Sequence, residues 1–214
     1  DPTVAAFDGV PLYGNYKYDD EGVAARKVEV VKNGTFLTYL MSRQPVEGIS
    51  NSNGHGRCEP GMAPVSRQSN LFVTSKTYIP ETDLHEKLRK MCKKQKKEYG
   101  YLFEEVIGGF TKADRMSINA FNIIPILVYR VYADGRPDEM VRGVSLIGTP
   151  LTMFSEIEAC GGKQAVFNGY CGAESGSVPT STIAPSLLVN KIETQQQFEI
   201  KGEVPQINSP DQAK

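Results

Sequence analysis

The sequence predicts an α+β domain built mostly of antiparallel β-sheet or a barrel-like closure of one, with a long helix over about 82–99 and a short helix over about 149–160. Three observations predict it. Asn33-Gly34 sits between the β-prone runs 26–31 and 35–40, a strong local hairpin signal. From Thr82 to Tyr99, Leu84, Leu88, Met91, Cys92 and Tyr99 recur on one helical face. Beyond it, β-prone segments return at 102–107, 120–133 and 140–147.

Taken in order, residues 1–22 are irregular, punctuated by Gly9, Pro11 and Gly14 and ending in Asp19-Asp20-Glu21-Gly22. Residues 45–61 form a long loop rich in Gly, Ser and Asn, of the kind that is either functional or mobile. Asn70 to Val73 reads as a strand. In the long helix Thr82 suits the N-cap, and Asp83 and Glu86 favour the positive N-terminal end. Lys93, Lys94, Lys96 and Lys97 complement the negative end, and Gly100 closes it. Pro125 within a β-prone run argues for an edge or a bulge. Ala133-Asp134-Gly135-Arg136 reads as a second hairpin connection. Leu151, Phe154 and Ile157, followed by Gly161-Gly162, predict the short helix. The stretch 168–179 reads as a Gly-flanked loop, and 186–192 as the last strand, ending near Thr194. The domain is therefore placed at 1–195, with a polar tail over 196–214 that carries Pro205 and Pro210.

A chain of 214 residues with 40% apolar and 23% charged residues has ample material for a core. Its net charge of −1 provides no basic field for nucleic acid or an anionic membrane. The longest apolar runs, such as Ile123 to Val128, are too short to span a bilayer. The chain starts Asp1-Pro2-Thr3-Val4, without an initiator Met or a signal-like region, so this start leaves the compartment open. Cys58, Cys92, Cys160 and Cys171 have no C-x-x-C spacing; they read as mostly unpaired thiols, with a Cys160–Cys171 bridge as the lesser alternative.

The chemistry-bearing residues complete no site by themselves. Cys171 lies beside Gly172, near Gly169, where missing Cβ atoms leave a thiol open to a metal or an electrophile. A lone cysteine is also commonly a small buried apolar residue, and the residues alone leave both readings open. His85-Glu86-Lys87-Leu88-Arg89 has an arginine where a zinc helix needs its second histidine, so His85 reads as a helix-surface residue. His55 is the other histidine, a candidate ligand or base for Cys171. With Cys171 it gives two donors where a catalytic zinc takes three. Arg57 and Arg67 are loop arginines suited to clamping a carboxylate.

Several blocks in order carry a resemblance. They are 18–22, 31–34 with 40–43, Ser52-Asn53-Gly54-His55-Gly56-Arg57, 64–71, 141–150, and Cys171-Gly172-Ala173-Glu174-Ser175-Gly176-Ser177-Val178-Pro179. Together they cover about 15–194 and resemble the C-terminal half of the TldD/PmbA family, historically called modulators of DNA gyrase and regarded as metallopeptidases. The resemblance implies a metal, zinc, held by two histidines of an HExxxH motif upstream of everything here and by a cysteine at the position of Cys171. The glutamate between those histidines would be the general base. Ala173 and Ser177 stand where the family carries Lys and Gln. The resemblance further implies a peptide substrate and a homodimer or paralogous heterodimer, while the net charge and the short apolar runs point to no nucleic acid and no membrane among the partners. Typical members are cytoplasmic. Asn53, Gly54, His55, Arg57, Arg67 and Asn70 are then expected near the substrate cleft, and this fragment alone is expected to be inactive. The alternative is a non-catalytic partner subunit of such a dimer.

Overall fold

A computed structural model describes residues 1–112 and 119–196. Seven short strands come first: β1 (Ala6–Phe7), β2 (Val10–Pro11), β3 (Val31–Lys32), β4 (Thr35–Phe36), β5 (Gly56–Arg57), β6 (Val65–Ser66) and β7 (Asn70–Phe72). Helix α1 (Glu81–Lys94) follows, then β8 (Tyr99–Lys112), β9 (Ala120–Tyr132), β10 (Glu139–Val141) and β11 (Val144–Gly148). The short α2 (Pro150–Ser155) precedes β12 (Ile157–Ala173), β13 (Gly176–Val189) and β14 (Glu193–Gln196). The class is α+β, largely antiparallel, and no closed barrel forms among the described residues. The chain divides into two compact units, Asp1–Glu81 with Cys160–Ser186, and Thr82–Ala159 with the residues from Leu187 onward.

The first unit is made of small hairpins and one three-stranded sheet ordered β12-β13-β7. The Asn33-Gly34 turn forms as expected. Both residues take positive φ, 51° and 77°, which a two-residue hairpin turn between β3 and β4 requires. β13 pairs in parallel with β7, Ser181 opposite Asn70 and Ile183 opposite Phe72. As the middle strand, β13 is largely buried from Val178 to Pro185, the burial expected of a strand with a neighbour on each side. Leu12, Met41, Val178 and Ile183 form the apolar core of this unit.

The second unit is patterned by longer elements. β8 and β9 form a long antiparallel pair, and β10, β11 and β14 complete the sheet around β9. Pro125 sits opposite a run of register shifts in β8. On its other side it falls between the residues of β9 that pair with β11 (121–123) and those that pair with β10 (128–130). A residue without an N–H thus occupies a bulged gap in the ladder, although β9 itself is a central strand. Leu84, Cys92, Val131 and Ala133 are buried in this unit, and a Cβ on Gly100 would stand 2.7 Å from Leu88 and 2.9 Å from the Cys92 sulfur. Gly100 is therefore the residue that lets β8 lie close against α1.

The elements also correct the sequence reading. α1 stops at Lys94, because Lys96 turns into the left-handed region at φ 56° and the Lys97 N–H returns to the Cys92 carbonyl at 2.9 Å. Tyr99 already belongs to β8. α2 covers 150–155 only, since Ile157 to Cys160 are drawn into β12. The loop expected over 168–179 is instead the end of β12, a two-residue turn at Glu174–Ser175, and the start of β13. A connection that short joins antiparallel strands, and Gly176 at φ 82° provides its left-handed residue. Gln195 and Gln196 pair with Ser145 and Val144; the polar tail from 197 lies outside the described residues. No helix among the described residues is long and apolar enough to cross a membrane.

Candidate functional site

Cys171 is half-buried near the end of β12, three residues before the turn into β13. All four cysteines are free. Cys160 and Cys171 lie eleven residues apart on one strand, roughly 36 Å at about 3.3 Å per residue, too far for a disulfide. The bridge considered as the lesser alternative is thereby excluded.

The tip of the β12–β13 hairpin is tied down from several directions. One arm of the Arg67 guanidinium, Nη1, donates to Ser175 Oγ at 2.7 Å and to the Gly176 carbonyl at 2.9 Å. The other arm, Nη2, donates to the Cys171 carbonyl. Ser175 Oγ in turn donates to the Arg57 carbonyl at 2.9 Å. Arg57 Nη1 donates to the carbonyls of Gln68 and Pro179, both at 2.8 Å, and its guanidinium lies 4.9 Å from the centre of the Tyr16 ring. Glu59 closes the other side: its N–H donates to the Ser175 carbonyl, and its carboxylate accepts from the Ser177 N–H at 3.0 Å. A buried guanidinium is costly unless its donors are matched. Here carbonyl and hydroxyl oxygens match them, and neither Arg57 nor Arg67 has a carboxylate within ion-pair distance among the described residues.

The Gly54-His55-Gly56 stretch explains itself one layer back. Gly54 has φ 78°, and a Cβ there would stand 2.5 Å from the Ala24 carbonyl oxygen; one on Gly56 would meet the Glu21 carboxylate. The two glycines let the chain enter a crowded interior with His55 between them, 1% exposed. Its Nδ1 lies 3.2 Å from the Asn53 carbonyl and its Nε2 3.4 Å from Ser69 Oγ. Burial pushes the imidazole down to about 4, which leaves it neutral over ordinary pH. Tyr16, edge-on to His55 and bonded to the Gly54 carbonyl, is pushed up to about 12 by burial. No hydrogen bond joins His55 to Cys171 among the described residues.

Of the remaining candidates Asn70 is buried and Asn53 half-buried. Asn53 accepts from the Met41 N–H and donates to the Tyr39 carbonyl. Asn70, 2% exposed, donates to the carbonyls of Asp1 and Val4. The structure thus gathers Arg57 and Arg67 against the Cys171 hairpin and places His55 and Asn70 in the interior, with Asn53 half-buried. His85, by contrast, is fixed on the second unit by Asp138 at 2.8 Å. Sequence reasoning missed Ser175, Glu59 and Asp19. The Asp19 carboxylate accepts from the N–H groups of Glu21, Val23 and Gly56, pinning the start of β5. Its place in an acidic run was the one available signal.

Residues 6–196 match the model of the PmbA/TldA metallopeptidase C-terminal domain. The chain belongs to this family. A metalloprotease of Methanocaldococcus jannaschii is 28% identical over 168 residues, 78% of this chain and 34% of that protein. One of Archaeoglobus fulgidus is 28% identical over 88% of this chain and 39% of its own length. A zinc metalloprotease TldD homolog of Saccharolobus solfataricus is 24% identical over 82% of this chain and 37% of its own. The chain therefore spans between a third and two fifths of these relatives. The crystal structure of a proposed modulator of a DNA gyrase from Thermotoga maritima shares the fold, with TM-score 0.55 and 23% identity over 85% of this chain and 36% of that one.

A metallopeptidase name implies a metal, and the donor set of this PmbA/TldA C-terminal domain can be tested against that. Among the described residues no three His, Cys, Asp or Glu side chains converge to hold an ion. Cys171 offers one suitable soft donor, and one sulfur does not make a site.

Proposed function

We propose that this chain is the C-terminal part of a TldD/PmbA-type zinc peptidase, in which Cys171 gives its sulfur to a metal whose other ligands lie on residues outside this chain. The observation that carries the reading is a partly exposed thiol on the outer strand of a sheet, with its own carbonyl pinned by a buried arginine. When bound, the metal supplies a Lewis acid for amide hydrolysis; Arg67 holds the Cys171 main chain through its carbonyl. Asn53, Gly54, His55, Arg57, Arg67 and Asn70 serve the substrate cleft from behind, as its rigid wall. An extended peptide suits an outer strand such as β12.

A second reading, which the family resemblance also implies, is a non-catalytic subunit of a homodimer or paralogous heterodimer. Cleavage of an unfolded protein such as casein by the full-length protein separates the two. The first reading expects chelator-sensitive cleavage that Cys171→Ala abolishes. No cleavage by metal-loaded wild type, alone or with its paralogue, would leave only the second.

A further inference from the structure

We propose that, independently of the peptidase reading, Asn33 at the tip of the β3–β4 hairpin is a modification site, where this chain converts an asparagine to aspartate and isoaspartate by spontaneous deamidation. The sequence holds three Asn-Gly pairs: Asn33-Gly34, Asn53-Gly54 and Asn168-Gly169. In each, the glycine has no side chain to shield its main-chain nitrogen, so local sequence makes the three equivalent. The fold separates them.

In the reaction the glycine nitrogen gives its proton to solvent base and bonds to the side-chain carbonyl carbon of the asparagine. The bond from that carbon to Nδ2 breaks, the nitrogen leaves as ammonia with a proton from water, and a five-membered succinimide remains. Water then adds to either ring carbonyl and opens it to aspartate or isoaspartate, with no change of oxidation state. The step needs a free amide, a free glycine N–H and a main chain able to rotate. Asn33 has all three. Residues 31–37 are exposed, and neither the Asn33 amide nor the Gly34 N–H has a hydrogen-bond partner among the described residues. Nothing lies within 4 Å of where a Gly34 Cβ would stand, so the ring has room. Closing it takes the turn out of its native conformation, but the ladder is only two pairs long, Val31–Phe36 and Lys32–Thr35, and opens at little cost. At Asn53 both reacting groups are held. Its amide accepts from the Met41 N–H at 2.7 Å and donates to the Tyr39 carbonyl at 2.9 Å, while the Gly54 N–H donates to Ser52 Oγ at 3.1 Å. Asn168 lies within β12, where its amide donates to the Pro11 carbonyl at 2.9 Å and accepts from Ser181 Oγ at 2.6 Å. The outcome at the hairpin depends on the product. Aspartate keeps the turn, since Asp-Gly suits it as Asn-Gly does. Isoaspartate routes the main chain through the former side chain and adds a carbon that a two-residue turn has no place for.

The test holds the full-length protein in warm, mildly alkaline buffer and digests samples taken over days. Each Asn-Gly peptide is followed by mass spectrometry, with fragmentation that distinguishes isoaspartate from aspartate. The peptide carrying Asn33 should convert to both acids more than about tenfold faster than those carrying Asn53 and Asn168, the ratio that a modest difference in local opening produces. A parallel incubation in concentrated urea should bring the three rates together, because the chemistry is then the same at each pair. Comparable rates at the three pairs of the folded protein, or faster conversion at Asn53 or Asn168, would overturn the proposal. So would a gap as large in urea as in buffer, which would assign the order to neighbouring residues and not to the fold.

Discussion

In the first unit the strands before α1 are two or three residues long, and the interior between them is polar: Asp19, His55, Arg57, Arg67, Ser69, Asn70, Ser175 and Ser181 are all buried. In the second unit the strands run up to fourteen residues, and the buried side chains are mostly apolar, from Leu84 and Cys92 to Val131 and Leu188. Its charges are arranged outside, in pairs such as Arg130–Glu139 and Lys87–Glu158. One unit is ordered by matched buried donors and acceptors, the other by ladders and apolar contact. The difference teaches where rigidity is concentrated. A buried polar lattice is unforgiving of loss, because each removed partner strands another group. It also specifies one arrangement of the groups it joins.

The comparison can be broken most forcefully at Asp19. Asp19→Ala leaves the N–H groups of Glu21, Val23 and Gly56 without their acceptor and should cost about 3 kcal/mol or more in a urea titration. A loss below about 1 kcal/mol would mean that water replaces the lattice freely.

His55 sharpens the same point through pH. Its imidazole falls from the ordinary 6.5 to about 4 on folding, so the unfolded chain binds the extra proton between those values. Its stabilising contribution is complete above about pH 6.5 and lost as the pH falls toward 4, by on the order of 3 kcal/mol. His55→Gln should flatten that part of the stability profile. An unchanged slope would place the acid sensitivity elsewhere.

The smallest effect is expected in the second unit. Arg136 pairs with Glu98 and Asp134 and covers the Tyr132 ring, all at the surface. Arg136→Ala should barely move the unfolding midpoint, and added salt should erase what difference there is. An effect as large as that of Asp19→Ala would remove the contrast between the units.

What the sequence revealed follows the same division. The Asn33-Gly34 hairpin, α1 and the run of strands after it were legible because periodicity and turn chemistry act locally. Pro125 was readable as a bulge for the same reason. The strand identity of Cys171 was not, because Gly169, Gly172 and Gly176 look like loop residues until β12 is known to pair with β13. The roles of Arg57 and Arg67 were equally hidden. Their acceptors lie between eleven and about 120 residues away, and a buried arginine bound to carbonyls has no local signature. Ile157 to Cys160 continued a helical pattern but were taken by β12, a tertiary pairing overriding local preference.

The most direct test of the account is metal stoichiometry in the full-length protein, compared among wild type, Cys171→Ala and the control Cys58→Ala, whose thiol is also partly exposed. The account predicts close to one zinc per chain in wild type and in Cys58→Ala, and loss of tightly held zinc in Cys171→Ala. Full zinc occupancy of unchanged affinity in Cys171→Ala would contradict it.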